Sequence, residues 1–357
     1  MSGLLYTEIE DDLRAGVRSL LADKAPWAHV LAGTEKDEPY DAALWRDLTA
    51  MGVTGLPVPE GAGGGGASWR ETAVVMEELG RAVAPVPFLT GAVMGVAALL
   101  SAGDGELLAR AASGEGIAVL AVPFGAGPGV PEASVRAEGG RLTGEVRGVA
   151  DGAAAAVLLV PAAGALYAVD AAEAARTPVT SLDMTRRLTD LAFSDVPARE
   201  IAAGPDAVAA ALTAGAAMLA SEQLGLAEAC LETTVAYVKT RYQFGRPVGS
   251  YQALKHRLAD LWASVTQARA VARNAADALA SGSGDLGVRV AVAQAHCSAT
   301  AVTAAEECVQ MHGGIGFTWE HPAHLYLKRA KSAAIGLGTP DRHRAALAEL
   351  VSLPPAR

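Results

Sequence analysis

The run Arg241-Tyr242-Gln243-Phe244-Gly245-Arg246-Pro247-Val248, continuing through Tyr251-Gln252 to Leu258-Ala259-Asp260, sets a guanidinium at the end of a long helix-forming stretch. Gly245 and Pro247 can make the turn that follows. A planar guanidinium fixed there can donate paired hydrogen bonds to a pyrophosphate. About 70 positions later comes Gln310-Met311-His312-Gly313-Gly314-Ile315-Gly316-Phe317-Thr318-Trp319-Glu320-His321-Pro322. Paired glycines without Cβ let an adenosine or a phosphate come close to the backbone. Taken singly, each segment reads equally well as a helix end with an exposed Arg, or as a Gly-rich turn between helices.

Other chemistry finds little support. Cys230, Cys297 and Cys308 form no CxxC and have no His at metal-ligand spacing, so they read as reduced core thiols. Glu320 and His321 are sequence neighbours held by Pro322 in an extended turn, and His312 beside its glycines reads first as a packing residue. Gly63–Gly66 is followed by Ala67-Ser68 rather than Lys-Ser/Thr, so it is expected to be a flexible connector and not a phosphate loop. A formal net charge of -10 over 357 residues gives no footprint for nucleic acid or an acidic membrane surface. The apolar runs Phe88–Ala102 and Gly152–Val169 are short or interrupted for a membrane span, and no signal peptide opens the chain. A soluble, cytoplasmic protein is the expectation.

The elements that must position these segments follow from periodicity. Leu13, Val17, Leu20 and Leu21 make an amphipathic helical stripe. Asp41 is a fair N-cap for a helix ending near Met51-Gly52, and Ser68 with Glu71 forms a capping box for a helix running to Gly80. From about residue 116 the texture turns to β-prone runs: Ile117–Val122, Arg141–Val149, Ala155–Val160, Ala165–Val169 and Leu188–Phe193. After Gly204-Pro205-Asp206 come long Ala-rich helices: Asp206 to about Thr240, Tyr251 to Leu279, and Leu286 to about Met311. The predicted fold is α+β, mainly α: an N-terminal helical domain over 1–115, an antiparallel β domain over 116–201, and a C-terminal helical bundle over 202–357.

In this order and context the two C-terminal segments resemble motifs of the acyl-CoA dehydrogenase family. Leu56–Gly66 with Glu77-Glu78-Leu79-Gly80-Arg81 is similar to that family's first domain, and Leu142-Thr143-Gly144 with Asp151-Gly152 to its β domain. The resemblance implies an oligomeric flavoprotein, a dimer or dimer of dimers, acting on an acyl thioester and passing electrons to an electron-transfer flavoprotein or similar acceptor. It also implies that Arg241, Gln243, Phe244, Gln252, Gln310, His312, Gly313 and Gly314 bind the AMP end of an FAD seated in the neighbouring subunit.

The same resemblance exposes gaps. The family's reaction needs a carboxylate to take a proton from Cα while the flavin accepts hydride from Cβ. The usual position of that Glu, after Ala330-Lys331 and before a Gly-Thr pair, is Leu337; the alternative position, on the helix entering the Arg241 motif, is Gly215. Glu222 lies seven residues beyond Gly215, on the same face but ~10 Å along the axis. It is the one candidate base on that helix, and its plainer reading is a buried charge paired with an Arg. Around the flavin ring, Pro123, Gly148 and Ala150 stand where hydroxyl and aromatic groups are expected. The foremost reading is a base-lacking partner subunit in a mixed acyl-CoA dehydrogenase. A self-sufficient dehydrogenase using Glu222, and a repurposed flavin-dependent oxygenase, are the alternatives.

Overall fold

Leu13, Val17, Leu20 and Leu21 fall on one face of α1 (Glu8–Lys24), and Val17 and Leu21 are fully buried. The computed structural model describes residues 4–353. α1 opens with a capping box of Thr7 and Glu10, a pattern that the sequence also carries. After α2 (Trp27–Thr34), Asp41 caps α3 (Ala42–Ala50) by accepting from the backbone N–H groups of Ala43 and Leu44. Ser68 and Glu71 form the expected box at the start of α4 (Trp69–Ala82). A π-helix over Phe88–Gly95 then runs into α5 (Val96–Ala102), followed by α6 (Gly105–Ala112).

The Gly63–Gly66 segment corrects an expectation. It is no flexible connector: Gly65 donates to the Gly55 carbonyl, Gly66 to Val58 and Ala67 to Leu56, each at 2.8–2.9 Å. A Cβ on Gly64 would overlap the Val58 carbonyl. Gly64 is needed for this close approach to Val58, and Gly63 and Gly66 for their positive φ of 84° and 61°.

β1 (Ala118–Leu120), β2 (Val135–Glu138), β3 (Arg141–Ala150), β4 (Val157–Ala162), β5 (Ala165–Asp170), β6 (Ala175–Val179), β7 (Leu188–Pro197) and β8 (Arg199–Ala203) form an eight-stranded sheet. Its order is β6-β7-β3-β2-β4-β5-β8, with β1 beside β4. Most pairs are antiparallel, but β1 and β2 both run parallel to β4, so the sheet is mixed rather than purely antiparallel. The long excursion through β2 and β3 brings the chain back beside β1 in the same direction, which a tight hairpin could not do. β2, β6 and β8 escaped the sequence reading. β6 is an exposed edge carrying Arg176, Thr177 and Pro178, without apolar alternation.

The last part contains α7 (Asp206–Thr240), a hairpin of β9 (Tyr242–Gln243) and β10 (Arg246–Pro247), α8 (Gln252–Ser281), α9 (Leu286–His312), α10 (Ala323–Ile335) and α11 (Pro340–Leu350). Among the described residues α7 alone is long and apolar enough to cross a membrane, and it is mostly buried against α4, α8 and α9. Two glycines let α4 and α7 touch backbone to backbone. A Cβ on Gly225 would overlap the Glu77 carbonyl, and one on Gly80 would overlap that of Glu222.

A buried polar cluster joins all three parts. Glu222 on α7 receives Arg186 Nη2 at 2.5 Å, from the loop before β7, and Arg329 Nη1 at 3.3 Å, from α10. Arg329 Nε also donates to Asp183 at 2.7 Å, and its Nη2 to the Thr185 hydroxyl at 2.7 Å. Nearby, Thr90 of the π-helix donates to Asp151 at 2.8 Å. All of these side chains are buried.

Two predictions follow from this packing. Gly225→Ala should force α4 and α7 apart and cost about 3 kcal/mol in urea denaturation, whereas Gly33→Ala on α2, whose Cβ would meet nothing, should be neutral or mildly stabilising. The second concerns Asp151, whose carboxyl is pushed up to about 6 by burial, against the pull of Arg186 and the Thr90 hydroxyl. The folded chain then holds a proton that the unfolded chain, titrating near 3.8, releases. The stability this proton confers is complete below about pH 4 and is lost as pH rises through about 6, a change of about 3 kcal/mol. Asp151→Asn cannot ionise, so its stability relative to wild type should rise by roughly that amount between pH 4 and pH 7.

Candidate cofactor site

α7 ends at Arg241, whose N–H caps the helix by donating to the Tyr237 carbonyl. The chain then turns through Phe244 and Gly245, both at positive φ (53° and 78°), with Gln243 paired to Arg246. This is a two-residue hairpin turn of the kind that fits strand twist, and it normally carries Asn or Gly at its first position. Phe244 holds that strained place although its ring is 91% exposed and packs on little of its own chain. The Val248 N–H closes the loop on the Arg241 carbonyl at 2.8 Å.

α9 ends at His312, and Gly313 adopts φ 61°, ψ -138°, a conformation open in practice to glycine alone. Neither Gly313 nor Gly314 has an atom within 4 Å of where a Cβ would stand, so the space over this turn is open. The Tyr237 ring stacks on the His312 ring with centroids 4.3 Å apart, which brings the two motifs together although they are far apart in sequence. Arg241, Gln243, Phe244, Gln252, Gln310, Gly313 and Gly314 are exposed; His312 is buried behind them. Tyr242, Phe317 and Trp319 are also exposed. A guanidinium, carboxamides and open glycine backbone form a donor set that fits the pyrophosphate and adenosine end of FAD.

The other end is closed. Leu337 is 1% exposed at φ 54°, and its N–H donates to the Phe124 carbonyl at 2.8 Å. A Cβ on Gly215 would lie 2.8 Å from Met94 Cγ and 3.0 Å from Leu337 Cδ1. The two positions at which the resemblance expects a base are thus neighbours in space, and aliphatic carbon fills the spot between them. The Phe124 ring lies directly against Gly336, with the Arg186 guanidinium over its face at 5.3 Å. Pro123 has no N–H to give, and Gly148 and Ala150 bring no side-chain donor. None of these three positions offers a side-chain donor or an aromatic face to a flavin ring.

Beside Leu337 lies an apolar pocket of about 160 Å³, lined by Val130, Leu212, Val290, His343 and Leu350 among others. His343 is its one titratable group. Its Nε2 hydrogen-bonds the Leu337 carbonyl at 2.9 Å, and burial holds its pKa below the usual range, so it is a neutral donor rather than a ready base. Glu222 is fixed elsewhere. Burial pushes its carboxyl up, but Arg186 and Arg329 outweigh burial and hold it below the ordinary carboxylate range. The three cysteines are free and buried, and no cluster of metal-ligating side chains occurs among the described residues. Sequence reasoning missed Arg186, Asp183 and Thr185 as partners of this centre. The signal, a charged Asp183-Met184-Thr185-Arg186 loop ahead of a strand, carries no periodicity that points inward.

Residues 202–351 match the acyl-CoA dehydrogenase C-terminal domain family and residues 7–115 the N-terminal domain family. The chain is 37% identical over 333 residues to the acyl-CoA dehydrogenase IpdE2 of Mycobacterium tuberculosis, covering 92% of both chains. Among solved structures it resembles a chain of the ChsE4-ChsE5 complex from Mycobacterium tuberculosis, with a TM-score of 0.90 and 28% identity over 99% of this chain and 100% of that one. It also resembles the Tcur3481-Tcur3483 steroid ACAD, with a TM-score of 0.87 and 30% identity over 97% of this chain and 98% of that one. The site's asymmetry is therefore set within a known framework: the chain belongs to the acyl-CoA dehydrogenase family of flavoprotein oxidoreductases.

Proposed function

We propose that this chain is one subunit of a mixed acyl-CoA dehydrogenase, supplying the AMP-end half of an FAD site whose ring pocket and base belong to a different, related chain. The observation that carries this reading is the aliphatic contact of Leu337, Met94 and Gly215 where a carboxylate would have to stand. When bound, FAD supplies the hydride acceptor for α,β-dehydrogenation of an acyl thioester, and reoxidation is assigned to an electron-transfer flavoprotein. This chain's part is binding. Arg241 donates to the pyrophosphate, Gln243, Gln252 and Gln310 offer amide contacts, and Gly313-Gly314 admits the adenosine side. Similarity to the two-component ChsE4-ChsE5 and Tcur3481-Tcur3483 proteins supports an assembly of unlike chains.

The flavin-to-chain ratio after gel filtration tests this. The chain alone should carry well under one flavin per chain, and should gain one flavin per pair of unlike chains when co-expressed with its partner. Arg241→Ala should strip flavin from the assembly with a loss of about 10–100-fold in affinity, the worth of one or two charge-assisted hydrogen bonds. A stoichiometric yellow homo-oligomer that is reduced by an acyl-CoA would overturn the proposal.

Self-sufficient catalysis with Glu222 as base is the rival reading, and the geometry disfavours it. A base must be free to take a proton, whereas this carboxylate is held between two guanidinium groups. Glu222→Gln should instead leave Arg186 without its carboxylate and Arg329 with Asp183 alone, and cost about 3–5 kcal/mol of stability. Unchanged denaturation midpoints together with abolished turnover would reinstate Glu222 as the base.

A further inference from the structure

Behind the exposed AMP-end surface, three rings stack in a row. Tyr237 lies one turn before Arg241 on α7 and packs on His312 at 4.3 Å; His312 packs on His321 at 4.1 Å. His312 Nδ1 donates to the Cys308 carbonyl at 2.6 Å, locking its ring against the last turn of α9. His321 is tied in turn, its Nδ1 accepting from the Ala323 N–H at 3.3 Å. The peptide between His312 and Gly313 is held from both sides. Its carbonyl accepts from the Tyr237 hydroxyl at 3.3 Å, and its N–H donates to the Gln310 carbonyl. Fixing that peptide fixes the glycine-only conformation of Gly313 relative to the end of the helix that carries Arg241.

Packing alone does not call for a histidine here. His312 is 3% exposed and its Nε2 is buried without a partner, an arrangement that a purely apolar ring would avoid. What histidine adds over phenylalanine is the Nδ1–H bond that sets the ring's rotation. Building on the AMP-end reading above, we infer that His312 is a positioning residue, wedged by Tyr237 and His321, which sets the spacing between Arg241 and the Gly313-Gly314 turn without itself touching the cofactor.

The test titrates FAD into the flavin-stripped assembly of unlike chains, followed by quenching of flavin fluorescence, with thermal midpoints measured in parallel. His312→Phe keeps the stack, loses the Nδ1 anchor and removes the orphaned Nε2. It should therefore melt at or above the wild-type temperature while binding FAD about tenfold more weakly. A residue that served only the core would move both quantities in the same direction. Tyr237→Phe keeps the ring and removes the hydroxyl, and should weaken FAD by about threefold to tenfold at unchanged stability; it keeps the question open to test should His312→Phe fail to fold. FAD affinities within twofold of wild type for both variants, beside a weakened Arg241→Ala, would overturn the positioning role alone. An Arg241→Ala assembly that binds FAD normally would remove the AMP-end reading, and this inference with it.

Discussion

Glu222 is a carboxylate in the middle of a helix bundle, and it is ionised there only because Arg186 from the loop before β7 and Arg329 from α10 converge on it. Taking a charge out of water costs several kcal/mol unless its partners are close and well aimed. Once that arrangement exists, it constrains everything around it. The loop before β7 must come down onto α7, α10 must lie across both, and Asp183 and Thr185 must occupy the remaining donors of Arg329. The backbone contact of α4 with α7 at Gly80 and Gly225 occurs at this same level, with the Glu222 carbonyl against Gly80. The three parts of the molecule are registered to one another at this junction.

The two ends of the proposed cofactor site differ in a way that follows from local chemistry. At the ring end, the Phe124 carbonyl binds the Leu337 N–H and the Phe124 ring lies on Gly336, so the β part and the C-terminal bundle close directly on each other. With Leu337 and Met94 filling the space against Gly215, aliphatic carbon stands where a group able to accept a proton would be needed. At the AMP end the opposite holds. The backbone is held from behind by rings and capping bonds, and the outward face is left polar and open.

Much of this was legible in the residues, and the rest was not for physical reasons. Local signals read true: Asp41 and the Ser68–Glu71 box cap the helices they were expected to cap, and the 35-residue α7 begins and ends at Asp206 and Thr240. Their energetics lie within a turn of helix, so the sequence carries them. Strand β6 has no such signature, because its exposed edge asks nothing of its side chains beyond staying solvated. The folding back of the Gly63–Gly66 loop is not written in its residues, because glycine reports permissiveness, not its use; only the approach of Val58 to Gly64 shows that the space is taken. The partners of Glu222 lie 36 positions before it and 107 after it, beyond any periodicity. The meeting of Leu337 with Gly215 was not readable from spacing either, although each position had been singled out by resemblance.

Phe244 brings these strands of argument together. An aromatic residue at positive φ costs of order 1–3 kcal/mol, and such a cost persists where the surroundings impose it. Within this chain its ring has little to rest on, being 91% exposed, and Tyr242, Phe317 and Trp319 are exposed on the same two motif segments. Folding of the isolated chain therefore gains almost nothing from the side chain that makes the turn costly. A glycine or asparagine would form the same hairpin with less strain. A partner that buries the ring, as the mixed assembly proposed above would supply, gives this residue a physical reason. Arg241 and the Gly313-Gly314 turn make the same demand, since each presents donors or open backbone to a space that this chain leaves open. Strain and exposed aromatic side chains thus gather on the two motif segments, in keeping with the mixed assembly proposed above, while Leu337, Met94 and Phe124 pack closely where the resemblance would place the base.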